Sequence, residues 1–205
     1  MDKNTLSRHM LALHIAGKVL QDAPDEVFLA QAHEQALFSD WPLTPSTPES
    51  TAALDALKDL FAKGKSDLGA MRLEHLALFS GPSPAARPWE SVWRERDKLL
   101  FGEQTMLVRK AYAEWGLANE GHGREPEDSI SLEIAFCVFL LHRIIEEGDV
   151  KALQSLTDFL DEHLLQWAEP CLRKASESTS EPFYRNMPLL CHDALQSLRT
   201  AISSQ

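Results

Sequence analysis

Cysteine is scarce in this sequence, and glycine-rich motifs are missing from it. Of the 205 residues only 3 are cysteines, at Cys137, Cys171 and Cys191, and no two of them form a CxxC pair. An odd number fits no self-contained disulfide framework, so we expect reduced thiols in a reducing compartment. The 9 glycines form neither a GxxxxGKS/T loop nor a GxGxxG turn. The usual phosphate cradles of nucleotide enzymes are therefore excluded.

Basic charge and long apolar runs are also lacking. Lys and Arg total 20 against 31 Asp and Glu, a formal charge of −11. This balance repels a phosphate backbone and attracts a basic peptide. The most apolar window, residues 134–141, is too short to span a bilayer, and the N-terminal apolar stretch is interrupted by His14 and has no cleavage site. We expect a cytoplasmic protein with no nucleic-acid partner and no membrane insertion.

Catalytic constellations are missing as well. There is no GxSxG nucleophile elbow, and His33-Glu34 begins a zinc-protease motif that no second histidine completes. The 8 histidines are dispersed, and Cys191 and His192 are adjacent, so they would point in different directions on a helix. The residues themselves therefore predict no catalytic site, no metal and no cofactor.

Helical periodicity dominates the sequence, which makes the expected fold class all-α. Leu6, Met10, Leu13, Gly17 and Leu20 recur at steps of three and four residues, which suits one face of a helix. Further helices are expected over residues 25–38, from Pro48 onward, from Ser66-Asp67 onward and over residues 103–115, and breaks near Pro170 and residues 176–182. The segment 130–145 is apolar nearly all round, which is typical of the buried centre of a bundle.

The glycine-containing linker at residues 116–123 is the expected boundary between two helical halves. We predict one compact bundle-like domain over residues 1–205, with an N-terminal half at about 1–118, a hinge at about 119–124 and a C-terminal half at about 125–205. Such a hinge is compatible with a monomer or with a dimer that exchanges halves, and the sequence leaves both open.

An acidic group stands where the second half begins: Glu125, Glu127 and Asp128. One interpretation is helix capping, because carboxylates there meet free N–H groups and the positive end of the helix dipole. The other is a docking point for arginines of a partner, since a carboxylate accepts a guanidinium bidentately. One group can serve both purposes in part.

A proline-rich loop at residues 81–88 leads into Trp89 and Trp93. Large aromatic side chains beside such a loop suit recognition of an apolar segment. Alternatively, the two tryptophans, four residues apart, pack one helix face into the core. Phe79, just before the loop, lines a groove or ends a core stripe, and the core is the simpler interpretation.

Four sequence segments resemble the TorD/DmsD family of redox-enzyme maturation chaperones. They are GPSPAARPWESVWRERDKLLFGEQTMLVR, then EPED before a strongly apolar helix, then HLLQW, then EPFYR, in the family's order and covering residues 79–185. The resemblance implies an all-helical, non-enzymatic chaperone. It also implies binding to the twin-arginine leader of a molybdopterin oxidoreductase, such as a dimethyl sulfoxide or trimethylamine N-oxide reductase, which delays export until the cofactor is inserted.

The resemblance also places family binding residues at Phe79, at the Pro88-Trp89 corner and at Asp128. The family commonly has histidine after that aspartate, whereas this chain has Ser129, which cannot carry charge near neutral pH. Together with the residues above, the expected leader-binding set is Phe79, Pro88, Trp89, Trp93, Glu125, Glu127, Asp128 and Ser129. We expect its acidic and aromatic parts to be neighbours in the fold.

Three alternatives remain. The simplest is a helical interaction protein of unknown partner, which requires that the family resemblance is misread. A helical assembly factor would bind the mature enzyme body, and a client without its leader would then bind equally well. A helical hydrolase would use the acidic group with a divalent metal, although no second acidic helix motif is present. Metal-dependent thermal stabilisation would support this hydrolase alternative.

From the sequence alone, Asp128→Asn distinguishes docking from capping. If the carboxylate docks a partner's arginines, the variant weakens leader binding and its salt sensitivity while thermal stability stays nearly unchanged. Equal losses of stability and binding, measured by thermal unfolding and by calorimetry, would make capping the main role.

Overall fold

The computed structural model describes residues 2–64, 66–117 and 126–203 and contains no β-strand within them. The described residues fold into ten α-helices, which confirms the all-α prediction. Their bounds are α1 Lys3–Gln21, α2 Glu26–Glu34, α3 Pro48–Ala62, α4 Leu68–His75, α5 Glu90–Arg94, α6 Glu103–Ala113, α7 Ile130–Glu147, α8 Val150–Phe159, α9 Leu165–Glu177 and α10 Pro182–Ser203. Single π-helical turns, Leu76–Ser80 and Leu160–Leu164, extend α4 and join α8 to α9.

Local capping explains where several helices begin. The side chains of Asp2, Asp25, Asp67 and Asp149 accept hydrogen bonds from backbone N–H groups in the first turns of α1, α2, α4 and α8. Thr47 forms a reciprocal capping box with the third residue of α3. These bonds satisfy donors that a helix start leaves free. The starts predicted at Pro48 and after Asp67 are therefore confirmed.

Helix α7 is largely buried in the core, as its apolar composition predicts. Helix α1 packs against α7 and α10, and α10 packs in addition against α3 and α9. Helix α1, near the N-terminus, thus lies on helices from the C-terminal part of the chain. The hinge predicted at residues 119–124 lies outside the described residues, and the division into halves stays a prediction.

Helix α1 lies close to α7 at Gly17. A Cβ atom at Gly17 would lie 3.0 Å from Cγ2 of Ile134, and both residues are buried. That separation is shorter than ordinary carbon–carbon contact, so a larger side chain would push the helices apart. Glycine is needed here for the close approach rather than for an unusual backbone angle.

Helix α2 ends earlier than residue 38, where the sequence pattern placed its end. Ala36 has a φ of 48°, and the N–H groups of Ala36 and Leu37 donate to the carbonyls of His33 and Ala32. This is a Schellman termination with alanine in the place that glycine usually takes. Phe38 then turns back into the core and stacks on Trp41.

The break expected near Pro170 is absent, because Pro170 lies inside α9. A proline in a helix interior loses one hydrogen bond and costs about 3 kcal/mol. Helix α9 buries Trp167, Cys171 and Leu172 completely, and each large apolar side chain contributes about 1.5–3 kcal/mol. Packing therefore outweighs the local penalty. The break at residues 176–182 is confirmed by the gap between α9 and α10.

Within the described ranges, none of the helices is both long and apolar enough to cross a membrane.

Gly17→Leu should lower the free energy of unfolding by about 2 kcal/mol, because the added side chain overpacks the contact between α1 and α7. Combined with Ile134→Ala, the loss should be smaller than the sum of the two single losses, since the space is then shared. Urea unfolding of both single variants and the double variant measures this coupling. Lys18→Leu, at the exposed neighbouring position, is the control and should change little. Additive losses would contradict the close contact.

Candidate functional site

The Pro88-Trp89 corner lies beside the segment that contains Asp128 and Ser129. Trp89 and Ser129 form an isolated antiparallel bridge. The Ile130 N–H donates to the Pro88 carbonyl at 2.8 Å, and the Glu90 N–H donates to the Asp128 carbonyl at 2.9 Å. The proximity expected between the acidic and aromatic parts is therefore observed, and backbone hydrogen bonds hold it. The starts of α5 and α7 are fixed to each other at this point.

Asp128 is completely buried, and its carboxylate accepts two hydrogen bonds. Its Oδ2 accepts from the Ser91 N–H at 2.8 Å, and its Oδ1 accepts from the Thr105 hydroxyl at 2.9 Å. The carboxylate thus caps α5 and ties it to α6. The capping interpretation is wrong for α7, whose N-cap Ser129 makes no side-chain cap bond, because Asp128 instead caps the neighbouring helix α5. The role of Asp128 in leader binding stays a prediction.

Glu127 faces the guanidinium of Arg109 in α6. Arg109 Nε and Nη2 donate to Glu127 Oε1 and Oε2, both at 2.9 Å. The glutamate side chain is 3% exposed and the arginine side chain 44% exposed, so the arginine covers the carboxylate from the solvent side. The carboxylate raises the pKa of Arg109, chiefly through these hydrogen bonds. At this position the exposed group is therefore the guanidinium of Arg109, and the carboxylate of Glu127 lies beneath it.

Ser129 and Glu125 complete the acidic part of the expected leader-binding set. Ser129 is completely buried, and its Oγ lies 3.3 Å from Oγ of Ser131. Glu125 lies outside the described residues, so its part in the site stays a prediction.

The aromatic residues divide into a buried one and two half-buried ones. Phe79 is buried, with its ring 5.6 Å from that of His75 and 5.9 Å from that of Tyr184, which agrees with the core interpretation. Trp89 and Trp93 are half-buried, and Trp93 Nε1 donates to the Arg87 carbonyl at 2.7 Å. Pro88 is buried as well. Among the aromatic residues of the expected leader-binding set, Trp89 and Trp93 are therefore the two that are partly exposed.

The sequence alone did not predict that two glutamates near Trp89 and Asp128, Glu90 and Glu133, would be buried. Glu90 is completely buried, ion-paired to Arg94, and lies 3.0 Å from Nδ1 of His163. Glu133 is also completely buried, and its Oε2 accepts from Trp167 Nε1 at 3.2 Å. Burial, and secondarily the charge of Glu90, raises the pKa of Glu133 well above its ordinary value. A glutamate on an otherwise apolar helix face was the available signal for Glu133.

Three or more metal-binding side chains do not converge anywhere in ranges 2–64, 66–117 and 126–203.

A second feature that the sequence analysis missed is an exposed apolar segment. Eleven large hydrophobic side chains are exposed in the described residues, and five of them fall between residues 99 and 107. These five, which we call the apolar segment 99–107, are Leu99, Leu100, Phe101, Met106 and Leu107. An apolar triplet directly after Asp97 and Lys98 was the signal that could have found it.

The apolar segment 99–107 begins in a backbone of unusual conformation. Lys98 and Phe101 have φ values of 51° and 60°, which non-glycine residues rarely adopt. Beside this segment, a cleft of about 440 Å³ opens between α6 and α8, lined among others by Leu107, Trp115 and His163. Clustered exposed apolar side chains of this kind mark binding surfaces more often than they mark ordinary surface.

An all-helical fold, the bridge between Trp89 and Ser129 and an exposed apolar segment are typical of a binding protein. Comparison with known proteins specifies its class. The family model described as nitrate reductase delta subunit matches residues 45–173, more than half of the chain. The chain therefore belongs to this family.

Curated relatives give the class a more specific form. The probable Tat proofreading chaperone DmsD of Haemophilus influenzae is 30% identical over 120 residues, which cover 58% of this chain and 55% of that protein. The Tat proofreading chaperone DmsD of Salmonella typhi is 26% identical over 172 residues, covering 83% and 79%. The chaperone protein TorD of a Psychrobacter species is 27% identical over 134 residues, covering 64% and 60%.

The TorD/DmsD resemblance is thus confirmed. The chain is a chaperone of this family and not an enzyme, which removes the hydrolase alternative.

Because the carboxylate of Asp128 is buried and hydrogen-bonded, Asp128→Asn should lower the stability of the protein. An amide that replaces the buried carboxylate loses a charge-assisted acceptor for the Ser91 N–H, which should cost about 1–3 kcal/mol of unfolding free energy. Thermal and urea unfolding measure the loss. Asp67→Asn is the matched control, because asparagine caps an exposed helix start as well as aspartate does. Unchanged stability of the Asp128 variant would contradict the capping role.

Glu133→Gln should make the protein more stable than the wild type as pH rises. Since the folded-state pKa of Glu133 is raised, its contribution is complete below the ordinary glutamate pKa of about 4.3 and is lost as pH rises through the raised value. Glutamine stays neutral throughout, so the difference in unfolding free energy should grow from about pH 4.5 to about pH 8. Urea unfolding at both pH values tests it, with exposed Glu146→Gln as the control on the same helix. A pH-independent difference would exclude a raised pKa.

Proposed function

We propose that this chaperone binds the twin-arginine leader of a molybdopterin oxidoreductase in the cytoplasm and delays export until the cofactor is inserted. The relatives named Tat proofreading chaperone support this function. A dimethyl sulfoxide or trimethylamine N-oxide reductase is the proposed type of client. The same chain could act as a monomer or as a dimer that exchanges halves.

The observation that carries the proposal is the bridge between Trp89 and Ser129. It places acidic residues next to half-buried aromatic ones, and a twin-arginine leader combines two arginines with a following apolar stretch. Carboxylates suit the first part and an apolar surface the second. The formal charge of −11 adds long-range attraction for a basic peptide, which speeds encounter more than it adds affinity.

The expected binding residues have different tasks in this proposal. Trp89 and Trp93 offer partly exposed aromatic surface to the leader, and Glu127 offers its carboxylate. Phe79, Pro88 and Asp128, being buried, support that surface from beneath. Ser129 acts in the same way, and Glu125 is retained as a further carboxylate of the site.

The apolar stretch of the leader lies, in our proposal, against the apolar segment 99–107. Sulfur Sδ of Met106 is 3.5 Å from Nη1 of Arg109, the residue that covers Glu127. The arginine that pairs with Glu127 therefore contacts one member of the exposed apolar segment. A peptide whose arginines precede its apolar part can contact both Glu127 and this segment.

Binding to the mature enzyme body is the second proposal. The cleft between α6 and α8 is an additional concave surface that a folded client could contact. Equal affinity for a client with and without its leader would favour the enzyme body as the partner.

A synthetic twin-arginine leader peptide should bind with micromolar or tighter affinity, and the affinity should fall as salt rises. A peptide with both arginines replaced by lysine should bind at least about tenfold more weakly, since lysine cannot form the parallel pair of hydrogen bonds. Calorimetry at two salt concentrations measures both effects. Failure to bind leaders from any molybdoenzyme of the same cell would refute the proposed function.

A further inference from the structure

A short loop between α5 and α6 carries cations next to exposed apolar side chains. Loop 96–101, of sequence RDKLLF, is exposed at every residue. At its base the carboxylate of Glu95 accepts the Gln104 N–H at 2.9 Å, and a Cβ atom at Gly102 would collide with this carboxylate. Glu95 and Gly102 therefore close the base of the loop. A loop that is closed in this way presents its apolar tip at little further cost in conformational entropy.

The cleft between α6 and α8 lies beside this loop. Its volume is about 440 Å³, and Arg94 and Gln104, which flank the loop in the sequence, both line it. The large apolar side chains that line it are Leu107, Trp115, Phe136 and Phe159. The exposed acidic residues that line it are Glu114, Asp158 and Glu162. Lys110 opposes them, whereas Arg94 is ion-paired with buried Glu90. The cleft therefore combines apolar side chains with an excess of carboxylates.

The loop and the cleft are complementary in charge as well as in polarity. Arg96 and Lys98 are exposed, and neither forms an ion pair with another residue that the structure describes. These cations precede the apolar tip formed by Leu99, Leu100 and Phe101. The loop does not line the cleft of its own molecule. A second copy of the chain offers both the cleft that suits this loop and the loop that suits this cleft.

Two complementary surfaces that adjoin on one molecule favour a pair with two-fold symmetry. In such a dimer the loop of each copy enters the cleft of the other, and every contact occurs twice. Leu107 belongs both to the apolar segment 99–107 and to the cleft, so the two surfaces meet at this residue. The pairing also places cations against carboxylates where two chains of formal charge −11 approach each other.

We propose that two copies of this protein associate through this face, with loop 96–101 of each copy in the cleft between α6 and α8 of the other. The dimer covers the apolar segment 99–107, on which the proposed function places the apolar stretch of the leader. A leader therefore has to displace the second copy, and the free chaperone keeps its apolar surface covered. The dimer does not depend on the proposed function, whereas this competition rests on it.

The wild type should show a monomer–dimer equilibrium with a Kd of about 1–100 µM, because the paired surfaces are small and the chains have like net charge. Sedimentation velocity of the full chain across this concentration range measures it. Leu99→Glu combined with Leu100→Glu should raise the Kd at least about tenfold, since the new carboxylates meet those of the cleft. Leu73→Glu is the matched control: it is 70% exposed on α4, does not line the cleft and should leave the Kd unchanged.

Charge reversal identifies which surfaces meet. One variant carries Arg96→Glu and Lys98→Glu in the loop, and the other carries Asp158→Lys and Glu162→Lys in the cleft. Each alone should dimerise at least about tenfold more weakly than the wild type, because its loop and cleft have the same sign of charge. An equimolar mixture should recover dimers of nearly wild-type affinity, since each loop then meets a cleft of opposite charge. Thermal unfolding confirms that both variants are folded.

The outcomes separate the dimer from the proposed function. A wild type that stays monomeric throughout the range overturns the inference, and so does a dimer that neither set of charge reversals weakens, as expected of exchanged halves. A synthetic twin-arginine leader peptide, added to the wild-type dimer, should convert it to monomers. A dimer that binds no leader refutes the proposed function and leaves the dimer standing. A leader that binds without dissociating the dimer refutes the competition.

Discussion

The buried carboxylate of Asp128 is the interaction on which the rest of the site depends. It accepts from the backbone of α5 and from Thr105 of α6, while its own backbone pairs with Glu90. Three segments distant in the sequence meet at this one side chain. The tryptophans, Glu127 and the apolar segment 99–107 all lie on elements that it holds, so their relative positions follow from its hydrogen bonds.

The buried acidic side chains of the site have different partners. Glu90 and Glu133 are completely buried and engage Arg94, His163 and Trp167 within the fold. Glu127 instead lies just below the surface under an exposed arginine. The acids therefore differ in the exposure of the arginines that they pair with: the side chain of Arg94 is 28% exposed and that of Arg109 is 44% exposed.

Agreement between sequence and structure was best where the physics is local. The starts at Pro48 and after Asp67 depend on bonds within one turn, so the sequence shows them directly. Pro170 and Ala36 show the reverse. Packing retains a helix through the proline, and alanine takes a left-handed position usually given to glycine. In both cases tertiary contacts outweigh a local preference of a few kcal/mol.

By itself the sequence determined the helical class, the buried centre at α7 and the residue types of the site, because periodicity and composition control which surfaces must be buried. Only the tertiary structure decided that Asp128 caps α5, that Arg109 covers Glu127 and that the five side chains of the apolar segment 99–107 stay exposed. The reason is that a carboxylate's partner depends on which helix folds against it, and residues 18 or more positions apart leave no periodic trace of their contact.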